Sequence, residues 1–99
     1  MLKKLFNLSG RTALITGGSK GIGKACARGM AEAGANIAIS ARHEEELKKA
    51  AQEIGAGLDV QVEYFVADMC DREQVKKLAT DVLAKLGQVD VLFNNAGNN

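Results

Sequence analysis

The sequence predicts an α/β fold, a doubly wound parallel sheet of which the chain carries four strands and three helices. Two observations support this prediction. Short apolar runs alternate with segments of helical periodicity along the 99 residues, and glycines bound several of these segments. Short connections between strand and helix are typical of right-handed crossovers between parallel strands. The alternation therefore predicts a sheet that is covered by helices on both faces.

The first strand is predicted at residues 13–15, an apolar run between Gly10 and Gly17 that suits a strand buried on both faces. A helical period begins at Ile22 and ends before Gly34, which has the position of a residue that follows a helix. We expect the apolar stripe of this helix to face the core. The stripe consists of Ile22, Ala25, Cys26, Gly29, Met30 and Ala33.

A second buried strand is predicted at residues 37–39, followed by a helix that Gly55 and Gly57 end. The apolar face of that helix comprises Leu47, Ala50, Ala51 and Ile54. Three carboxylates at residues 44–46 open it, where they suit the positive end of the helix dipole. In residues 60–66 the side chains of Val60, Val62, Tyr64 and Val66 alternate with those of Gln61, Glu63 and Phe65. This alternation predicts a half-exposed third strand at a sheet edge.

A third helix is predicted from Asp71, which with Gln74 resembles a capping box, to Gly87. Its apolar stripe consists of Val75, Leu78, Ala79, Val82, Leu83 and Leu86. The fourth strand, residues 89–93, is mostly apolar, as though a further strand were to cover it. In a Rossmann-type sheet of order 3-2-1-4 the third strand is an outer one, in agreement with its alternating pattern. We therefore expect residues 1–99 to form the N-terminal part of a single domain.

The strongest functional signal is the string Thr-Gly-Gly-Ser-Lys-Gly-Ile-Gly at residues 16–23, between the first strand and the first helix. Its glycines permit a close approach, and the helix start offers N–H groups and a positive dipole to a pyrophosphate. In this context such a loop indicates dinucleotide binding. The alternative is a tight strand–helix turn that binds nothing.

A nucleoside triphosphate loop is a near match in the same place. Residues 18–25 read G-x-x-x-x-G-K-A, one residue short of the motif that ends in Ser or Thr. That hydroxyl ligates magnesium, and Ala25 has none. The dinucleotide interpretation is therefore favoured.

The residues after the second strand indicate which dinucleotide binds. Folds that prefer NAD place Asp or Glu there, whereas this chain has Ser40, Ala41 and Arg42, with no carboxylate before Glu44. A guanidinium binds a 2′-phosphate through paired hydrogen bonds, and Lys20 adds a second cation. The sequence favours NADP(H) over NAD(H). The alternative is that both cations are ordinary solvated surface charges.

Composition argues against several other classes of function. The net charge is +1, and only four residues are aromatic (one Tyr, three Phe, no Trp), which gives little support to a nucleic-acid or anionic-membrane partner. Two separated cysteines and the absence of a signal-peptide pattern favour a reduced, cytoplasmic protein. No metal site is predicted.

The glycine loop, together with Asn94-Asn95-Ala96-Gly97 after the fourth strand, resembles the short-chain dehydrogenase/reductase family. The resemblance covers essentially the whole chain. Within the family the chain resembles both the gluconate dehydrogenase and the 3-oxoacyl-carrier-protein reductase branches, and the sequence does not decide between them. It implies that the phosphates and ribose of the cofactor are contacted by Gly17, Ser19, Lys20, Gly21, Ile22 and Gly23 of the glycine loop. It also implies that Arg42 contacts the 2′-phosphate. It further implies cofactor contacts by Asp68 and Met69 with the adenine, and by Asn95, Ala96 and Gly97 with the central portion. A turn residue is the alternative for Asp68, and side-chain bonds to backbone are the alternative for the asparagines.

The resemblance also implies a catalytic Ser and a Tyr-x-x-x-Lys motif, which this chain does not contain. Its one tyrosine, Tyr64, is followed four residues later by Asp68 rather than Lys. We therefore predict no catalytic residue here and expect the chain to end before the catalytic half of its domain. The main hypothesis is the nucleotide-binding portion of an NADP(H)-dependent enzyme that interconverts a small-molecule carbonyl and an alcohol, homo-oligomeric when complete. The alternative is a stand-alone nucleotide-binding or interaction module.

Overall fold

The computed structural model describes residues 7–95, which form one four-stranded parallel sheet and three helices. In chain order the elements are β1 (Thr12–Thr16), α1 (Gly21–Glu32), β2 (Asn36–Ala41), α2 (Glu44–Gly55), β3 (Val62–Val66), α3 (Arg72–Leu86) and β4 (Val91–Asn94). The strand order is β3-β2-β1-β4, and every neighbouring pair is parallel. Both the alternation of elements and the predicted order 3-2-1-4 are confirmed.

Two clusters of buried side chains lie on opposite faces of the sheet. On one face, odd-numbered residues of β1 and β2 pack against α1 and α2 through Ala27, Ala31, Leu47 and Ile54. On the other face, Leu14 and Ala38 pack against α3 through Leu78 and Val82. Since helices cover both faces, all five residues of β1 are buried, as its short apolar run predicted.

The predicted stripe of α1 is confirmed only in part, since Ala33 is buried and Met30 packs against the core cluster. Gly23, Ala27 and Ala31 face the core, whereas Ala25 is exposed and Ile22 is 70% exposed. Half of the helix residues are Ala or Gly, and these small side chains mark the buried face less sharply than large ones do. The observed rotation is the one that places the smallest residue, Gly23, against the glycine loop, where larger residues do not fit.

The remaining helices follow the predictions in part. The four predicted core residues of α2 are all buried. In α3 only Leu78 and Val82 are buried, and Leu83 is 51% exposed, because a single helix covers this face of the described sheet. The strand β3 is an edge strand of half-buried residues, as its alternation predicted.

The fourth strand begins two residues later than predicted. At Asp90 a side-chain oxygen takes the place of a backbone acceptor in the sheet, since the Asp90 Oδ2 atom accepts a 2.9 Å hydrogen bond from the Thr12 N–H. The Asp90 N–H in turn donates to the Thr12 carbonyl at 2.8 Å. Regular pairing with β1 therefore starts only at Val91, and within residues 7–95 β4 is an edge on which Leu92 is 64% exposed.

Candidate cofactor-binding site

The predicted site residues within the described part of the chain lie at the carboxyl edge of the sheet. Thr16 of β1 is in register with Ser40 of β2 and Asn94 of β4, so the loops after these strands start from one row. Ligands of open α/β sheets bind outside this edge. The predicted residues placed on these loops, on the loop after β3 or at the start of α1 are Gly17, Ser19, Lys20, Gly21, Ile22, Gly23, Arg42, Asp68, Met69 and Asn95. Ala96 and Gly97 lie outside the described residues.

The glycine loop is held against β2 by its own backbone. Gly17 and Gly18 donate N–H groups to the Ser40 carbonyl at 2.8 and 3.3 Å. Gly17 and Gly21 have φ values of +73° and +55°, a region that L side chains rarely adopt. At Gly18 an added Cβ would lie 2.6 Å from the Ile39 Cγ2 atom, so close contact with β2 requires glycine there.

The start of α1 packs directly on this loop at Gly23. A Cβ at Gly23 would lie 2.5 Å from the Gly17 carbonyl oxygen and 2.9 Å from the Asn95 Nδ2 atom. Three segments, the glycine loop, the first turn of α1 and the loop after β4, therefore meet at one point. The absence of a side chain at Gly23 is what allows them to meet.

Asparagine and threonine side chains join the ends of β1 and β4. The Thr16 hydroxyl donates to the Asn94 Oδ1 atom at 2.8 Å and accepts from the Asn95 N–H at 3.2 Å. The Asn95 Nδ2 atom donates to the Gly17 carbonyl at 3.4 Å. These bonds support the turn interpretation of the asparagines and place Asn95 against the glycine loop.

The N-terminus of α1 is electrostatically suited to an anion. Its N-cap residue, Lys20, makes no side-chain capping bond, and the first turn contains no acidic residue. The other two helices carry glutamates in their first turns. The first turn of α1 thus keeps its positive dipole end and N–H groups for a ligand.

The two cations predicted to read the 2′-phosphate are both exposed. Arg42 follows directly on β2, and among residues 7–95 no carboxylate lies within ion-pairing distance of its guanidinium. Lys20, by contrast, forms an ion pair with Glu46, since its Nζ atom lies 3.5 Å from the Glu46 Oε1 atom. From the sequence the carboxylates of α2 are expected only to complement the helix dipole, and nothing in the sequence indicates the contact between Lys20 and Glu46.

Asp68 forms the turn that leads into α3. Its Oδ1 atom accepts a 2.9 Å bond from the Cys70 N–H, and its carbonyl accepts one from Asp71 at 3.0 Å. Asp71 caps the helix by accepting from the Glu73 and Gln74 N–H groups, as predicted. The reciprocal arm of the capping box differs, because Gln74 Oε1 accepts from the Asp68 N–H at 2.7 Å instead. The turn interpretation of Asp68 is confirmed, and its contact with adenine stays a prediction.

Two further polar groups near this edge carried no signal in the sequence. Ser40 is fully buried, and its hydroxyl has no hydrogen-bond partner among the described residues. Tyr64 of β3 donates its phenol O–H to the Glu44 Oε2 atom at 3.3 Å. Desolvation of the phenol, and next the negative charge of Glu44 and this hydrogen bond, raise the pKa of Tyr64 above its ordinary range.

We expect Glu44→Gln to lower the pKa of Tyr64 without returning it fully to normal, because desolvation, the largest cause, persists. Tyr64 is the one tyrosine and there is no tryptophan, so ultraviolet absorbance of the phenolate during alkaline titration reports this group alone. Because the pKa of Tyr64 is higher in the folded than in the unfolded protein, the neutral phenol contributes stability at pH values below the unfolded-state pKa. This contribution is lost as the pH rises through the folded-state pKa. Glu46→Gln is the control, since Glu46 contacts Lys20. Equal titration curves for the two variants would contradict the assignment.

Comparison with known proteins identifies the family. A family model for short chain dehydrogenases matches residues 11–99. The chain belongs to the short-chain dehydrogenase family. A short chain dehydrogenase of Pseudocercospora fijiensis is 43% identical over 90 residues, which cover 91% of this chain and 29% of that protein. An uncharacterized oxidoreductase of Mycobacterium bovis is 41% identical over 92 residues, covering 91% and 27%. The chain thus spans under a third of the length of these two relatives.

Solved structures of the short-chain dehydrogenase family share the fold. An L-sorbose reductase from Gluconobacter frateurii, solved with NADPH and L-sorbose, superposes with a TM-score of 0.89 at 38% identity over 94% of this chain and 35% of that one. A metagenomic short-chain oxidoreductase in complex with NADP gives a TM-score of 0.84 at 41% identity over 91% and 40%. Between residues 7 and 95 no helix has the length and apolar character needed to cross a membrane.

Proposed function

We propose that this chain binds NADP(H) as the dinucleotide-binding portion of an oxidoreductase that interconverts a carbonyl and an alcohol. The observation that carries the proposal is the first turn of α1, which is free of acidic residues and of a capping side chain and which packs on a glycine loop at the carboxyl edge of the sheet. Support comes from related short-chain enzymes that were solved with NADPH or NADP.

In this proposal each part of the site has a separate task. The glycine loop and the first turn of α1, with exposed Ile22 beside them, receive the phosphates and ribose. Arg42 and Lys20 bind the 2′-phosphate, and Asp68 and Met69 border the adenine. Asn95, held on the Gly17 carbonyl, supports the central part of the cofactor.

The chain positions the cofactor and does not itself supply a proton. Hydride transfer is the chemistry that the nicotinamide provides when it is bound. The proton-transferring Tyr and its Lys, which the family resemblance implies, have no counterpart at Tyr64, because that side chain packs at the core margin of β3 and bonds to Glu44. Carbonyl reduction is therefore proposed for the complete protein. Cofactor binding is the part of the proposal that can be measured on this chain.

The decisive experiment compares NADPH and NADH binding before and after Arg42→Ala. We expect the dissociation constant for NADPH to rise by roughly 5- to 30-fold, since charge-assisted hydrogen bonds to a phosphate are lost at an exposed site. NADH lacks the 2′-phosphate, so its affinity is expected to change little. Titration calorimetry of the protein with each cofactor gives both constants.

Lys85→Ala is the matched control for Arg42→Ala. It removes one positive charge from the last turn of α3, so that a general effect of net charge is separated from a local one. If Arg42→Ala and Lys85→Ala weakened NADPH binding equally, the assignment of Arg42 would be wrong. If the wild-type protein bound neither cofactor, the proposed function itself would be refuted.

A further inference from the structure

The three glutamates that open α2 make three different contacts. Glu44 accepts the phenol O–H of Tyr64, and Glu46 lies 3.5 Å from the Lys20 ammonium. Glu45 makes no ion pair or side-chain hydrogen bond with any residue from 7 to 95. Of the three carboxylates, only Glu46 therefore contacts the glycine loop.

We infer that Glu46 is a specificity-determining residue that competes with the 2′-phosphate of NADP(H) for Lys20. This inference rests on the proposed function. A 2′-phosphate carries nearly two negative charges at neutral pH, and it attracts the same ammonium that Glu46 holds. When the 2′-phosphate binds, the Lys20 ammonium must leave the Glu46 carboxylate or divide its charge between the carboxylate and the phosphate. The negative charge of Glu46 then repels the phosphate and weakens its binding.

The backbone keeps Glu46 in this position. It stands in the first turn of α2, and the next residue, Leu47, is fully buried in the core beneath. Rotation of the helix away from Lys20 would expose that leucine, so the carboxylate moves only through its own side chain. Lys20 is fixed at its backbone too, because it is the N-cap of α1 within the glycine loop.

The strength of the competition follows from exposure. The side chains of Lys20 and Glu46 are 73% and 49% exposed, and exposed ion pairs contribute little and are screened by salt. The pair therefore tunes affinity and does not block the site. It acts mainly on NADP(H), because NAD(H) has no 2′-phosphate to compete with Glu46 for Lys20.

The test is Glu46→Gln, with Glu45→Gln as the matched control. Both remove one negative charge from the same helical turn, but only the first removes the partner of Lys20. We expect the dissociation constant of Glu46→Gln for NADPH to fall about two- to fivefold below that of Glu45→Gln at low ionic strength. The constants for NADH are expected to agree between the two variants. Calorimetric titration of the protein with NADPH and with NADH provides all four constants.

A second pair of variants isolates the lysine. In a Lys20→Met background the advantage of Glu46→Gln over Glu45→Gln should disappear, because the competition needs the ammonium. Raising the salt concentration should shrink the same advantage in the protein that keeps Lys20. An advantage that survives Lys20→Met would show general charge repulsion and overturn the competition.

The possible outcomes separate this inference from the proposed function. If the wild type prefers NADPH and the two glutamine variants bind it equally, the competition is refuted and the proposed function stands. If the wild type shows no preference but Glu46→Gln gains one, the competition is supported in a stronger form. If no variant prefers NADPH, both the NADP(H) assignment and the competition are refuted.

Discussion

Gly23→Ala is expected to lower the free energy of unfolding by about 2–3 kcal/mol, because the new methyl group overlaps with backbone. The Cβ would lie 2.5 Å from the Gly17 carbonyl oxygen, which is a backbone atom and not the end of a flexible side chain that can yield. The glycine loop, α1 or the Asn95 side chain must shift. Since the same atoms are proposed to hold the cofactor, NADPH affinity is expected to fall at least about tenfold.

Gly55→Ala is the matched control for this prediction. Gly55 ends α2, and an added Cβ there would meet only the Val62 side chain, at 3.1 Å from its Cγ2 atom and at an ordinary 3.6 Å from its Cβ atom. We expect a change in stability of no more than about 1 kcal/mol, partly offset by the better helix propensity of Ala, and unchanged NADPH binding. Thermal unfolding by circular dichroism and NADPH titration measure the two effects. A Gly23→Ala protein as stable as Gly55→Ala would contradict the close packing at this point.

The order of the strands could be predicted because the patterns that indicate it occur along the whole sequence. Apolar runs, helical periods and bounding glycines recur in each strand–helix unit, and the alternating pattern of β3 marks an edge. The rotation of α1 could not be predicted in the same way. Half of the helix residues are Ala or Gly, which mark a buried face less sharply than large side chains do, and the contact that decides the rotation is between Gly23 and Gly17.

The position of the candidate site could be predicted, but its side-chain contacts could not. The glycine loop and the loop after β4 come together because parallel strands end at one edge. By contrast, Lys20 reaches Glu46, and Arg28 of α1 donates to the carbonyls of Glu53, Ile54 and Ala56 at the end of α2. These partners are 25 or more residues apart, and carbonyl acceptors leave no trace in side-chain identity. Such contacts depend on how two helices lie side by side, which periodicity does not specify.

Leu47→Ala tests whether α2 is the anchor of its face of the sheet. Leu47 is fully buried in the cluster that joins α1, α2 and the sheet, so truncation loses its burial and leaves a cavity. Such substitutions cost about 2–5 kcal/mol, and we expect a value of about 3 kcal/mol. For a chain of this size the midpoint of thermal unfolding should fall by roughly 12–24 °C. Circular dichroism during heating measures the shift.

Leu83→Ala makes the same chemical change on the opposite face, where the sequence also predicted a core leucine. Because Leu83 is 51% exposed, its truncation should change stability by no more than about 1 kcal/mol. The difference between the two leucine variants therefore measures how unevenly the helices cover the described sheet. If Leu83→Ala proved as costly as Leu47→Ala, Leu83 would be buried in solution together with Leu78 and Val82, and the sequence-predicted stripe would be right. If only Leu47→Ala lowered the stability strongly, Leu47 would be the residue that fixes the start of α2 on the sheet. The proposed competition requires this, because the start of α2 holds Glu46 beside Lys20.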